Sequence, residues 1–99
     1  RPHKINRSRH YLLKRKFGLS LEEYHAMLQE QDGLCAICRK PETAIGNGGC
    51  PRNLAVDHCH ETNTVRGLLC YTCNSLLGLA HDNVLTLQAA ISYLQRGTV

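Results

Sequence analysis

The chain has 99 residues, 42% of them hydrophobic but only 5% aromatic and without Trp, a single-domain length with too little bulky apolar surface for an ordinary enzyme core. That shortage points to a staple beyond hydrophobic burial, such as a metal. No stretch resembles a signal peptide and no apolar run nears the roughly 20 residues of a membrane span, which excludes a membrane protein and favours a soluble, reducing compartment.

The formal charge of +4 is lopsided, because residues 1 to 16 carry seven basic side chains and no acid while the remainder sums to −3. A polyanion such as DNA or RNA is the expected partner of that arm. The first eight residues read as a flexible basic tail that orders on binding. From Arg9 to Phe17, Leu12, Leu13 and Phe17 among Lys and Arg predict a short basic helix stopped by Gly18. Arg7, Arg9, Lys14, Arg15 and Lys16 are the residues expected to lie along a phosphate backbone, against the plainer reading of a solvated, solubilising end.

Ser20 followed by Glu23 is a capping-box signature, and Leu21, Tyr24, Met27 and Leu28 supply a helical stripe, predicting a helix from Leu21 to about Gln31. Asp32 and Gly33 end it and deliver the chain to Cys35 and Cys38. Residues 39 to 53 hold the densest Gly and Pro cluster and read as a surface loop. Leu54, Ala55 and Val56 then read as one strand and Val65, Leu68 and Leu69 as a second, joined around Glu61 to Asn63 into a hairpin that carries Asp57, His58 and His60. A helix is expected over residues 74 to 80, with Asn74 on its first turn facing the hairpin. A last helix is expected with Asp82 as N-cap and Gly97 as stop, packing Leu87, Ala90, Ile91 and Leu94 inward.

Two Cys-x-x-Cys pairs, Cys35 with Cys38 and Cys70 with Cys73, match the spacing by which two tight turns close four thiolates around one Zn2+. Four thiolates leave no open coordination position, so this ion is expected to be structural. It would lower the folded charge by two, to about +2. Cys50 and Cys59 are left over as free thiols, and His3, His10, His25 and His81 are scattered enough to read as surface or packing residues.

Between the halves of the knuckle lies Val56-Asp57-His58-Cys59-His60, where a carboxylate adjoins imidazoles near a turn. Joined to His10-Tyr11-Leu12-Leu13-Lys14, Gly33-Leu34-Cys35, Arg66-Gly67-Leu68-Leu69-Cys70 and Cys73-Asn74 with Leu77-Gly78, this order of motifs resembles the HNH endonucleases of the ββα-metal class, in particular the phage recombination endonuclease VII family. The resemblance spans about residues 9 to 95. It implies a small α+β ββα-metal (HNH, His-Me finger) domain over residues 9–99, with the four-cysteine zinc knuckle, a ββα core at about 54–80, and flanking helices. Cys59 departs from the family pattern, which often shows a second Asp there.

What the resemblance implies for function is a DNA endonuclease acting on duplex or branched DNA in a bacterial or phage-infected host cytoplasm. Asp57 and Asn74 would hold one Mg2+ or Mn2+ ion, His58 would be the general base, and His60 would orient phosphate or support the metal. Arg66 would neutralise phosphate, with pairing to Glu61 or capping of a carbonyl as its alternative. Junction cutting would favour a homodimer over a monomer, but the sequence shows no dimer surface. The competing readings are a non-catalytic zinc-finger module that binds nucleic acid through the basic arm, and a zinc domain for protein interaction. A first residue of Arg and not Met suggests a trimmed chain.

Overall fold

The computed structural model describes residues 12–50 and 52–97. The tail expected over residues 1–8, with Arg7, and the start of the first helix at Arg9 lie outside the described residues. Helix α1 covers residues 12–17 and buries Leu13. It stops where expected, because Gly18 takes φ +66° and lets the Leu19 amide reach back to the Leu13 carbonyl at 3.3 Å.

Helix α2, Leu21–Glu30, opens on a complete capping box: the Glu23 amide donates to Ser20 Oγ at 3.0 Å and the Ser20 amide to Glu23 Oε1 at 2.8 Å. Its stripe is anchored by Tyr24, 2% exposed, whose hydroxyl donates to the Leu54 carbonyl at 2.6 Å and so pins the helix to the start of the hairpin. The loop after Cys38 is irregular apart from a short 3-10 turn, Asn47–Gly49.

Strands β1 (Ala55–His58) and β2 (Val65–Leu69) form the antiparallel hairpin. Ala55 pairs with Leu69, Val56 with Leu68 and Asp57 with Gly67, but His58 pairs with Val65. Arg66 is therefore an extra residue without a partner across the ladder, a β-bulge beside the Asp-His pair. The turn closes with the Cys59 amide on the Thr64 carbonyl at 2.8 Å and Asn63 at φ +64°.

Helix α3 runs Tyr71–Leu79 with Cys70 as its N-cap, three residues earlier than expected. The second cysteine pair is thus built into a helix start, where the Cys70 sulfur accepts the Cys73 amide at 3.4 Å. Helix α4, Val84–Gln95, is capped by Asn83, whose Oδ1 accepts the Thr86 amide at 3.1 Å, and not by Asp82. The expected inward packing of Leu87, Ala90, Ile91 and Leu94 is also overturned. No α4 residue is buried; Ile91 is 54% exposed and Leu94 77%. Periodicity shows which side of a helix is apolar, not what covers it.

The core lies where α1, α2, the hairpin and α3 converge: Leu13, Leu19, Tyr24, Leu54, Leu68 and Leu69, continuous with Cys35, Cys70 and Cys73. Gln31, at the C-cap of α2, laces the layers together. Its Nε2 donates to the carbonyls of Leu34 and Leu68 at 2.7 and 2.9 Å, and its Oε1 accepts the Leu68 amide at 3.0 Å. Leu68 is fully buried, so Gln31→Ala leaves its backbone groups unpaired. That substitution should cost about 2 kcal/mol in denaturant unfolding; an unchanged midpoint would show that the side chain is not the bond that joins α2 to β2.

Candidate functional site

The four cysteines of the two pairs come together as the sequence spacing implied. Their sulfur atoms all lie within 4.8 Å of one another, and Cys38 Sγ stands 3.8 Å from Cys70 Sγ. A tetrahedron with metal–sulfur bonds of about 2.3 Å has sulfur–sulfur edges of about 3.8 Å, so the cradle has the size of a tetrathiolate zinc site. Amides surround it: Ile37 N–H donates to Cys35 Sγ and Cys73 N–H to Cys70 Sγ, both at 3.4 Å.

Charge within the cradle favours a bound cation. Burial raises the Cys35 thiol, but the backbone amides of Cys70, Cys38 and Ile37 outweigh it and bring the group down to about 6. For Cys73 burial is reinforced by the neighbouring cysteines Cys70, Cys35 and Cys38, and its thiol is pushed up to about 12. One thiolate forms readily and the last resists, so the fully ionised cluster requires a cation at its centre. Cys50 and Cys59 stay outside it as free thiols.

The second group of polar residues is carried by the hairpin. Arg66 donates through Nε to Asp57 Oδ2 at 2.8 Å and through Nη2 to Asp57 Oδ1 at 3.0 Å, a two-pronged pair. Its hydrogen bond to Asp57 raises the guanidinium's already high pKa further. The same Nη2 lies 3.4 Å from Asp82 Oδ2 in the turn between α3 and α4. Asp82, expected only as a cap, is thus part of this group, and its neighbours in sequence gave no sign of it.

His58 and His60 stand side by side with ring centroids 4.7 Å apart, and the Phe17 ring meets His58 edge-on at 5.3 Å. Phe17 was legible only as an apolar position of α1; its ring contact steadies the imidazole. Lys14, Arg15, Lys16, His58 and Asn63 line one cleft of about 350 Å³, so the described part of the basic arm borders the histidine. Arg9 and Arg7 lie outside the described residues. Asn74 is on α3 and exposed, lining a cleft of about 360 Å³ with Ala55, Asn53, Arg52 and Tyr71. Asp57, two residues beyond Ala55 along β1, does not line that cleft. Cys59 shares a cavity of about 480 Å³ with His60, Arg66, His81 and Asp82. The Thr62 hydroxyl and the amides of Thr62 and Glu61 lower its thiol below the ordinary value.

Fold and cluster define a small α+β domain, a two-stranded hairpin and helices joined at a four-cysteine metal site. The family model for recombination endonuclease VII matches residues 10–96, and the chain belongs to that family. Among curated proteins it is similar to the Gene 59 protein of Mycobacterium phage D29, 43% identical over 81 residues, which is 81% of this chain and 46% of that protein. The Gene 59 protein of Mycobacterium phage L5 is 39% identical over 79 residues, 79% of this chain and 44% of that protein. The chain therefore spans less than half the length of these relatives. No solved structure matches it significantly. Among the described residues, no helix is long and apolar enough to cross a membrane.

If the cluster holds zinc, a strong chelator at neutral pH should lower the melting temperature steeply, and an unchanged melt would rule the ion out. Acid acts in the same direction. The lowered Cys35 thiol contributes stability that is complete above the unfolded thiol range and is lost as pH falls through about 6. Zinc release to a colorimetric indicator should rise across that interval.

Proposed function

We propose that this chain is the catalytic domain of a metal-dependent DNA endonuclease of the HNH type. The observation that carries the proposal is a histidine at the edge of a lysine- and arginine-lined cleft, with an aspartate next to it in the same strand. Membership of the endonuclease VII family supports it.

The donor chemistry fits a hard divalent cation. Among the described residues the cysteines are the one cluster of three or more His, Cys, Asp or Glu ligands, which suits an ion that takes only a carboxylate and an amide oxygen from protein. Mg2+ or Mn2+ binds in that way, keeping water and substrate phosphate in its shell. Asp57 and Asn74 would hold it, and when bound it would supply charge stabilisation at the scissile phosphate and the leaving 3′ oxygen.

His58 is the general base in this reading. Histidine accepts a proton near neutral pH, and the edge contact with Phe17 and the ring of His60 restrict the imidazole's orientation toward the cleft. A water held on the phosphate would lose its proton to His58 as its oxygen attacks phosphorus and the 3′ oxygen departs. Lys14, Arg15 and Lys16 would hold the phosphates of the bound strand, and Arg66 and His60 would meet charge on the other side of the histidine pair. DNA, duplex or branched, is the substrate class.

The test is a nicking assay on supercoiled plasmid and on a branched duplex at low salt, with and without Mg2+ or Mn2+. Wild type should cut only with the cation, and His58→Ala should cut about 100-fold to 10,000-fold more slowly while retaining DNA affinity. Binding without cleavage by either protein would favour a non-catalytic zinc-finger module.

A further inference from the structure

Arg66 is shared between two carboxylates, and the arrangement is costly enough in backbone geometry to call for a reason. The bulge at Arg66 breaks the ladder between Asp57 and His58, and a bulge re-aims the side chain of its extra residue. On the other side, α3 ends with the His81 amide on the Gly78 carbonyl at 3.0 Å and the Asp82 amide on the Leu77 carbonyl at 2.9 Å. Such an ending usually places Gly or Asn in the left-handed conformation. Here His81 and Asp82 adopt it in succession, at φ +56° and +55°. Two unfavourable backbone residues thus bring the Asp82 carboxylate to 3.4 Å from Nη2.

The partner of Arg66 that matters for chemistry is Asp57, whose side chain is 12% exposed against 30% for Asp82. With each of its oxygens accepting from the guanidinium, Asp57 binds a divalent cation more weakly while the arginine holds it, because the two cations compete for the same carboxylate charge. A guanidinium released beside an incoming cation would be repelled from the site altogether unless another anion held it. Asp82 is that anion, and it already touches the same nitrogen.

We infer that Asp82 is a positioning residue: it holds Arg66 at the edge of the cavity shared with His60 when Asp57 passes from the arginine to a divalent cation. Arg66 is then both the counter-ion of Asp57 before the cation binds and a phosphate-facing charge afterwards. The inference rests on the reading of Asp57 as a cation ligand.

The experiment is Mn2+ binding to the zinc-loaded chain without DNA, followed by electron paramagnetic resonance, in a double-mutant cycle. Asp82→Asn keeps a residue that tolerates the left-handed conformation. It should weaken Mn2+ binding roughly five- to twentyfold, because Arg66 then has only Asp57 to hold. Arg66→Met should tighten binding, and in that background Asp82→Asn should change it by less than about twofold. Arg66→Gln serves as a second neutral variant, so that the cycle survives a folding defect in the first. An equal loss from Asp82→Asn in both backgrounds would reduce Asp82 to a remote negative charge, and no loss in either would leave it a structural staple; both outcomes overturn the inference. Wild type that binds no Mn2+, or Asp57→Asn that binds it undiminished, would instead remove the cation reading of Asp57 and the inference with it.

Discussion

Four sulfurs held within 4.8 Å of each other form the constraint from which the rest of the domain follows. The chain is poor in large apolar side chains, and three of the residues that fill its core are cysteines of this cluster. Repulsion among their thiolates would oppose closure, whereas one central cation would turn the same charges into attraction. Because Cys35 and Cys38 follow α2 and Cys70 and Cys73 open α3, the cluster, and any ion it holds, ties the two helices to the hairpin lying between them in sequence. Gln31 completes the tie on the β2 side. The polar residues of the hairpin therefore sit on a frame set by the cysteine cluster more than by a broad hydrophobic interface.

Charge is distributed over this frame in a consistent order. The lysines and arginine of α1 border His58, the imidazole pair comes next, and the Asp57–Arg66–Asp82 group lies beyond it. The single arginine offsets one of the two carboxylate charges, so that group keeps a net negative charge beside the basic edge of α1. The ion pair thus softens the acidic charge of Asp57 next to a basic surface.

Much of this was legible in the residues. Ser20 and Glu23 announced a helix start through a bond pattern that needs only four consecutive residues, and the two cysteine pairs announced a ligand set through spacing alone. The hairpin was legible from its turn residues. What escaped depended on contacts distant in sequence or on cooperative geometry. Helix α3 begins at Tyr71 because a thiolate can cap a helix, which displaces the boundary into the cysteine motif. Asp82 looked like a cap because Asp is a good one, but Asn83 took that role and left its neighbour for Arg66. The bulge that aims Arg66 has no sequence mark, since only the pairing of both strands reveals an extra residue.

Helix α4 gives the domain two tiers of cooperativity. Its twelve residues, Val84–Gln95, form a length that is marginal for a helix in water, and none of them is buried in the rest of the chain. Its backbone hydrogen bonds thus draw little support from the metal-centred core. Amide protons of the knuckle would exchange with solvent only when the whole domain opens, whereas those of α4 would exchange through local fraying at much lower free energy. The cysteine-centred core protects the middle of the molecule, and that protection ends at the strained turn of His81 and Asp82.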